Sequence, residues 1–229
     1  KKYGCLSGRN RDEQIAGSRV EVAPFKKDPT DFILWKPSPD SLPGWDTPWG
    51  FCRPGWHLEC SAMSEKTLGL PFDIHSGGMD LTFPHHENEI AQSCMAHNKM
   101  DEPRSFAKYW VHNGFVIVDG EKMSKSLGNI RLVHELIKDY RGEVIRLALL
   151  SAHYRQPLNW TTATIEQSMK TLNRLYRSLK ELDDINLEED EVLKLPSQIL
   201  EILCDDLNTP KMLAALNALV DQAFKAEPN

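Results

Sequence analysis

The sequence feature that most restricts the fold is a short apolar run that leads directly into a turn. Phe115-Val116-Ile117-Val118 is typical of a buried strand, and Asp119-Gly120 directly after it is a strong signal for a tight turn. Between residues 51 and 129, other short apolar runs alternate with helical patterns. Because this alternation is typical of βαβ units, it predicts an α/β fold with a parallel sheet.

The sequence after residue 129 is predicted to be helical. Apolar residues recur there at steps of three and four, which predicts an amphipathic helix of about five turns. The residues of this stripe are Ile165, Met169, Leu172, Leu175, Leu179 and Leu182. The acidic run 183–191 is interpreted as a solvated linker. Thr209-Pro210 then combines a capping residue with a first-turn proline, which predicts the start of another helix.

Composition excludes several classes of protein. Hydrophobic residues make up 41% of the 229 residues, an ordinary value for a globular chain, and no apolar run approaches the ~18 residues of a membrane span. Five cysteines at irregular spacing argue against a disulfide framework and for a reducing cytosol. A net charge of -6 provides no general basic footprint for a nucleic acid. The chain begins without Met and without an apolar leader, so we expect a fragment of a longer protein.

The first chemically suggestive group combines a cysteine with a histidine and a glutamate. His85 and Glu89 are four residues apart on a predicted helix and share one face, and Cys60 lies upstream in Gly55-Trp56-His57-Leu58-Glu59-Cys60. Thiolate, imidazole and carboxylate are all zinc ligands. The pattern also fits a buried cysteine and helix-capping histidines, and spacing alone favours that interpretation.

Two further motifs suggest a nucleotide site. Lys122-Met123-Ser124-Lys125-Ser126 follows the predicted strand and turn, where α/β folds place ligand loops, and its two lysines suit a polyphosphate. The alternative is a solvated surface turn. Gly77-Gly78 lets the backbone approach a ligand closely, and Asp80 just beyond it could accept hydrogen bonds from ribose hydroxyls. Glycine pairs also form ordinary turns, so this second motif alone is weak.

Taken in order, these motifs resemble one family closely. The lysine motif resembles the signature loop of the class I aminoacyl-tRNA synthetases. The segments 55–63, 73–75 and 83–93 resemble the cysteinyl-tRNA synthetases specifically. The resemblance runs from about residue 3 to residue 160 and continues more loosely through the helices that follow.

The resemblance implies roles for individual residues. In the family, two cysteines, a histidine and a glutamate hold zinc, and three of these places match Cys60, His85 and Glu89. The remaining cysteine and an ATP-binding His-x-Gly-His motif are expected to precede residue 1. The other implied residues are Trp56 and His75 in the cysteine pocket, Gly77, Gly78 and Asp80 at ATP, and the catalytic Lys122 and Lys125, with Lys125 on the ATP phosphates.

The implied fold is the second half of a Rossmann-like nucleotide-binding domain with a parallel sheet, followed by an all-α region. We assign residues 1–50 to a connective insertion and 51–130 to the catalytic half-domain. Residues 131–190 form a helical region that contacts the tRNA stem, and 191–229 begin an anticodon-binding bundle. We expect a cytoplasmic monomer with no membrane contact.

The implied activity is ATP-dependent ligation of L-cysteine to tRNA(Cys) through a cysteinyl-adenylate. One zinc ion per chain would recognise the thiolate, and Mg²⁺ would accompany ATP. We expect this chain alone to be inactive. A basic face on the helices could meet the tRNA, although an ordinary charged surface explains the same residues. They are Arg131, Lys138, Arg141, Arg146, Arg155, Lys170, Arg174, Arg177 and Lys180.

Two other functions fit part of the pattern. The related ligase that joins cysteine to a glucosaminyl-inositol in mycothiol synthesis shares the zinc site and the lysine loop, but needs no tRNA. The histidine-rich segment 83–93 and the helical tail from Asn208 resemble the synthetase more closely. A non-catalytic zinc-binding module would need neither the lysine loop nor Asp80.

Overall fold

A computed structural model describes residues 3–10, 12, 13, 15, 26–99, 102–118, 120–181 and 195–225 of the chain. The chain divides into two compact units, Lys1–His112 and Asn113–Asn229. The boundary between them lies inside the range 51–130, which the sequence analysis assigned to one half-domain. Asp119 of the predicted turn and the acidic run 183–191 lie outside the described residues.

The first unit contains a small antiparallel sheet. Its strands are β1 (Trp35–Pro37), β2 (Trp45–Thr47) and β3 (Gly50–Pro54), in the spatial order β1-β3-β2. The Thr47 hydroxyl closes the turn between β2 and β3 by donating a hydrogen bond to the carbonyl oxygen of Gly50 at 2.7 Å. This sheet lies in the region that the sequence analysis treated only as a connective segment.

Helix α1 (Trp56–Leu68) begins beside this sheet because Gly55 permits a close backbone approach. The N–H of Gly55 donates a hydrogen bond to the carbonyl oxygen of Leu34 at 2.6 Å. A Cβ atom at residue 55 would lie 2.3 Å from the carbonyl oxygen of Ile33, so only glycine fits there. This contact places Trp56, the first residue of the helix, next to β1.

A second sheet and helix form the core of the first unit. Strands β4 (Phe72–Gly78) and β5 (Ala107–Asn113) pair with each other, and α2 (Glu87–Ala96) packs against α1. The buried apolar side chains of this core are Phe72, Ile90, Cys94, Phe106 and Ala107. Their packing holds His75 of β4 and Glu89 of α2 in one neighbourhood.

Two irregular turns connect β4 to α2. A 3-10 turn, Met79–Leu81, is followed by a π-helical turn, Thr82–His86, in which Phe83 is extended with φ of -137° and ψ of 132°. The residue before a proline is driven out of the α region by steric contact with the proline ring. The regular α-helix therefore begins at Glu87, so His85 lies outside the helix on which the sequence predicted it together with Glu89.

The second unit combines a three-stranded sheet with helices. Its strand order is β7-β6-β8, in which β6 (Val116–Val118) runs parallel to β8 (Leu158–Trp160) and antiparallel to β7 (Glu121–Lys122). The helices are α3 (Val133–Asp139), α4 (Gly142–Leu150), α5 (Thr162–Glu181), α6 (Ser197–Cys204) and α7 (Thr209–Lys225). The buried core consists of Val118, Val144, Ile145, Ala148, Trp160 and Ile165.

The elements of the second unit test several sequence predictions. The predicted strand at 115–118 is confirmed as β6, which begins at Val116 and in which only Val118 is buried. The amphipathic helix predicted from Ile165 is confirmed as part of α5, and Leu182 of its stripe lies outside the described residues. The predicted cap at Thr209 is wrong, because the side-chain oxygen of Asn208 accepts the N–H of Lys211 at 3.2 Å and Thr209 is already helical. Over the described ranges, no helix is both long enough and apolar enough to cross a membrane.

Candidate functional site

Three potential metal ligands converge in the first unit. Cys60 lies in α1, Glu89 lies in α2, and His85 lies in the π-helical turn between β4 and α2. One donor atom of each residue lies within 4.8 Å of the others. The structure therefore brings the sulfur donor of Cys60 beside the donors of His85 and Glu89, which follow it in the sequence by 25 and 29 residues.

Glu89 has the electrostatic properties of a ligand. It is completely buried, and Nε2 of His75 lies 2.7 Å from its Oε2, whereas its Oε1 accepts no hydrogen bond from the described residues. Nε2 of His85 lies 3.1 Å from that oxygen. Burial opposes ionisation, but the contacts with His75 and His85 outweigh it and lower the pKa of Glu89 to about 2. Glu89 thus offers a buried, ionised oxygen, Oε1, at ion-pair distance from the candidate ligand His85.

Cys60 has complementary properties. Burial, followed by the nearby charge of Glu89, raises the pKa of its thiol to about 11. A thiolate beside a buried carboxylate needs a cation to neutralise the two charges. The combination of sulfur, imidazole and carboxylate matches the donor set of zinc sites. Together with the unpaired Oε1 of Glu89, this donor set fits the metal that the family resemblance implies.

A second group of potential ligands shares Glu89. Donor atoms of His75, His86 and Glu89 also lie within 4.8 Å of one another. His86 is further contacted by His112, whose Nε2 lies 2.9 Å from Nδ1 of His86. Burial lowers the pKa of His86 to about 3, even though the charge of Glu89 opposes the shift. His86 is consequently a neutral ring beside the shared carboxylate.

His57 and Trp56 surround the other side of His85. The Nδ1 atoms of His57 and His85 are 2.6 Å apart, and the Trp56 ring stacks on His85 with ring centroids 4.0 Å apart. Burial and the neighbouring His85 lower the pKa of His57 to about 4. Metal-binding histidines commonly bond their second nitrogen to a neighbour that fixes the ring orientation. His57 occupies that position here.

The sequence analysis assigned no role to His57, His86 or His112. The first two lie within the segments that carry the family resemblance, so their position in the chain was a usable signal. His112 lies on β5, and its contact with His86 depends on the pairing of β5 with β4. No local spacing in the sequence predicts that contact.

A cavity of about 450 Å³ adjoins the candidate metal ligands. Its lining includes Trp56, His57, His85 and Asp80, together with Lys36 from β1. A volume of this size accommodates a small ligand. The cavity thus brings Trp56 and Asp80 of the predicted set next to His85.

His75, Gly77 and Gly78, which were predicted at cysteine and ATP, belong to the same unit as this cavity but do not line it. His75 contacts Glu89, as described above. A Cβ atom on Gly77 would lie 2.9 Å from the His86 ring, and one on Gly78 would lie 2.7 Å from a carboxylate oxygen of Asp80. Both glycines therefore permit close packing of site residues.

The lysine loop belongs to the second unit. Lys122 ends β7, and its ammonium lies 3.8 Å from the centre of the Phe115 ring. The carbonyl oxygen of Lys125 accepts the N–H of Gly128, whose positive φ of 64° favours glycine. Asn129 Oδ1 accepts the N–H of Ser124 at 2.9 Å. The loop is thus shaped by its own hydrogen bonds and presents Lys125 at a turn.

Several members of the predicted basic face are paired with carboxylates. Arg155 Nε lies 2.6 Å from Asp206, Arg177 Nε lies 3.0 Å from Glu181, and Arg174 pairs with Asp221. The Asp206 carboxylate accepts hydrogen bonds from Arg155 and Tyr154, and these bonds, that from Arg155 first, lower its pKa to about 2. These ion pairs reduce the positive charge that this surface of the second unit presents to an anionic partner.

Comparisons with known proteins agree with the resemblance. The cysteine--tRNA ligase of Parvibaculum lavamentivorans is 58% identical over 222 residues, which cover 97% of this chain and 46% of that protein. The cysteine--tRNA ligase of Rhodospirillum rubrum is 57% identical over 218 residues, or 95% of this chain and 46% of that protein. The chain thus spans about half the length of these relatives.

A solved structure and a family model complete the comparison. The LeuRS of Agrobacterium radiobacter K84, solved in a ternary complex with tRNA and LeuAMS, matches 80% of this chain and 29% of its own with a TM-score of 0.58. At 18% identity, this likeness shows the fold alone. The family model described as "tRNA synthetases class I (C) catalytic domain" matches residues 1–170. The chain belongs to the family of class I (C) tRNA synthetase catalytic domains.

Proposed function

We propose that this chain carries part of an enzyme that ligates L-cysteine to tRNA(Cys) with ATP, through a cysteinyl-adenylate. The observation that carries the proposal is the convergence of Cys60, His85 and Glu89 beside a small cavity. The relatives at 55–58% identity are named cysteine--tRNA ligases, which favours this activity over ligation to a glucosaminyl-inositol. The proposed substrates are cysteine, ATP and tRNA(Cys). We also propose that the protein is cytoplasmic and monomeric.

Cys60, His85 and Glu89 would hold one Zn²⁺ ion, with a cysteine outside this chain as the further ligand that the resemblance implies. When bound, the zinc would supply a coordination position for the thiolate of cysteine. Glu89 is suited to its role because His75 engages Oε2 and leaves Oε1 unpaired. Trp56 would form one wall of the amino-acid pocket, because it lines the cavity and stacks on His85.

This arrangement explains how cysteine could be selected without an editing step. Serine and alanine cannot reproduce a metal–thiolate interaction. When an analogue leaves a group of the binding site without its partner, the site discriminates against that analogue by a factor of ~10⁴–10⁵. That ratio corresponds to roughly 5.5–7 kcal/mol at about 1.4 kcal/mol per tenfold. His57 and His86 have lowered pKa values, so neither ring adds positive charge beside the proposed ligands.

Activation would require groups that position ATP. Asp80 lines the cavity and is proposed to bind the ribose hydroxyls, while Gly77 and Gly78 allow the backbone to pack closely there. Lys122 and Lys125 would neutralise the ATP phosphates, with Mg²⁺ accompanying the nucleotide. Attack of the cysteine carboxylate on the α-phosphorus needs positioning and charge stabilisation more than covalent help from the protein.

The proposed functional regions follow one another along the chain. We assign residues 1–50, which include β1 and β2, to a connective insertion, and residues 51–130 to the second half of a Rossmann-like nucleotide-binding domain. Helices in 131–190 would contact the tRNA stem, and α6 with α7 would begin an anticodon-binding bundle. The parallel pairing of β6 with β8 supports the Rossmann-like assignment.

The test is cysteine-dependent ATP–pyrophosphate exchange by the intact protein. We expect exchange with cysteine and none with serine, and loss of exchange in Glu89→Gln. The matched control is Glu65→Gln, because Glu65 is half exposed and pairs with His97 at the surface. Absence of exchange in the wild-type protein, or full exchange in Glu89→Gln, would contradict the proposed function.

A further inference from the structure

The lining of the cavity includes positively charged side chains to which the proposed function assigns no role. Lys36 of β1 lines the cavity, as does Lys26. Lys36 is partly buried, and in the β1–β3 ladder it lies directly opposite Arg53. Residues that face each other across an antiparallel ladder point to the same face of the sheet, so two cations are neighbours there.

This charge has no carboxylate partner within the described residues. Neither Lys26 nor Lys36 forms an ion pair there, and Nη1 of Arg53 donates to the carbonyl oxygen of Pro37 and to the Ser38 hydroxyl, each at 3.2 Å. Like charges placed opposite each other destabilise a strand pair. A partly buried ammonium without a partner also loses hydration without compensation. The ladder would become more favourable if an anion lay beside Lys36.

The rest of the lining shows where such an anion would lie. The cavity is mostly apolar, with Phe32, Ile33 and Leu81 among its walls, and His85 is also part of the lining. A ligand that fits must offer an apolar or sulfur-bearing end to His85 and an anionic end to Lys36. Cysteine has this form, because its thiol and its carboxylate lie at opposite ends of a short molecule.

We propose that Lys36 binds the carboxylate of cysteine and, after activation, the phosphate joined to that carboxylate. The inference rests on the proposed function, since it takes the thiol to be held at Cys60, His85 and Glu89. Charge-assisted hydrogen bonds between an ammonium and an oxyanion are short and strong, and they orient the anion. Lys36 would thereby hold the reacting oxygen, while the donors near His85 hold the sulfur.

The test compares two ligands that differ only in the carboxylate. Binding of L-cysteine and of cysteamine to the intact, metal-loaded protein is measured by titration calorimetry for the wild type and for Lys36→Met. We expect Lys36→Met to weaken cysteine binding about 10-fold or more, the loss typical of a hydrogen bond to a charged group. Cysteamine binding should change by less than about 2-fold, because that ligand has no carboxylate to lose.

Two further variants separate charge from shape. Lys36→Arg retains the positive charge and should recover most of the cysteine affinity. Lys27→Met removes an exposed lysine that does not line the cavity, and it should leave both ligands unaffected. An equal loss for cysteine and cysteamine in Lys36→Met, or no loss for either, would overturn the assignment.

A third ligand distinguishes the carboxylate from other anions. Cysteinyl-sulfamoyl-adenosine carries a stable replacement for the phosphate, and its binding should weaken along with that of cysteine. If Lys36→Met lost affinity only for this analogue, or only for tRNA, the carboxylate assignment would be overturned. Failure of the proposed function would have a separate signature: wild-type protein without cysteine-dependent exchange, whatever the ligand preference of Lys36→Met.

Discussion

Nε2 of His75 lies 2.7 Å from Oε2 of Glu89, and the other carboxylate oxygen of Glu89 remains without a hydrogen-bond donor among the described residues. His75 therefore orients Glu89 so that its unpaired oxygen faces His85, whose Nε2 is 3.1 Å away. Residues that hold metal ligands in this way are often as important to affinity as the ligands. The following predictions concern the intact, metal-loaded protein.

His75→Ala should weaken zinc binding without abolishing it. Loss of a hydrogen bond to a metal ligand typically costs 10–100-fold in affinity, so we expect a decrease of about that size. Competition against a chelator of known affinity measures it. His97→Ala is the control, because His97 is a surface histidine that pairs with Glu65 and lies outside both ligand groups. Unchanged affinity in His75→Ala would contradict the orienting role.

Cys60→Ala should remove most of the zinc from the purified protein. A well-placed thiolate contributes strongly to zinc affinity, and alanine offers no donor atom. Metal analysis of the variant measures the loss. Cys94→Ala is the control, since Cys94 is a buried core cysteine that belongs to neither ligand group. Full zinc occupancy in Cys60→Ala would show that Cys60 is not a ligand.

Lys125→Ala should slow formation of cysteinyl-adenylate far more than it weakens cysteine binding. A lysine aimed at charge that develops on the phosphates acts mainly in the transition state, so the loss belongs in kcat. We expect ~10²–10³, the scale measured when a single oxyanion donor is removed. Rapid-mixing measurements of activation test this, with the exposed Lys138→Ala as control. Activation within a few-fold of the wild type would exclude the role.

Glu87→Ala should destabilise the first unit. The Glu87 carboxylate is buried and accepts the N–H groups of Leu6 and Ser7 at 3.2 and 2.9 Å. Removing the acceptor strands both donors, and each stranded donor costs about 1–3 kcal/mol. Because Leu6 and Ser7 are only partly buried, we expect the lower part of the combined range, a decrease of roughly 2–4 kcal/mol in the free energy of unfolding. Urea denaturation measures it. A loss below about 0.5 kcal/mol, the level of an ordinary surface substitution, would contradict this account.

The candidate site was predictable to the extent that it depends on contiguous sequence. Segments 55–63 and 83–93 carry the family resemblance, and their residue order alone identifies Cys60, His85 and Glu89 as potential ligands. The contact of His86 with His112 was not predictable, because it depends on the pairing of β5 with β4. Lys36 was missed for a similar reason: it lines the cavity together with Trp56, Asp80 and His85, which lie 20 or more residues further along the chain.

The fold was predictable where periodicity was clear. The apolar run of β6 and the stripe of α5 are regular, and both elements lie where they were expected. The sheet of β1 to β3 was missed because prolines and short strands of three to five residues obscure a period of two. The start of α2 was placed too early because Phe83, which precedes a proline, adopts an extended backbone.

The most direct test of the central claim is the sulfur content of the zinc coordination shell. X-ray absorption at the zinc edge of the intact protein counts sulfur ligands before and after substrate addition. We expect sulfur from Cys60 without substrate, a further sulfur ligand on addition of L-cysteine, and no change with L-serine. Cys60→Ala protein reloaded with zinc should lack one of these sulfurs. A coordination shell that does not change when cysteine binds would contradict recognition of the thiolate at Cys60, His85 and Glu89.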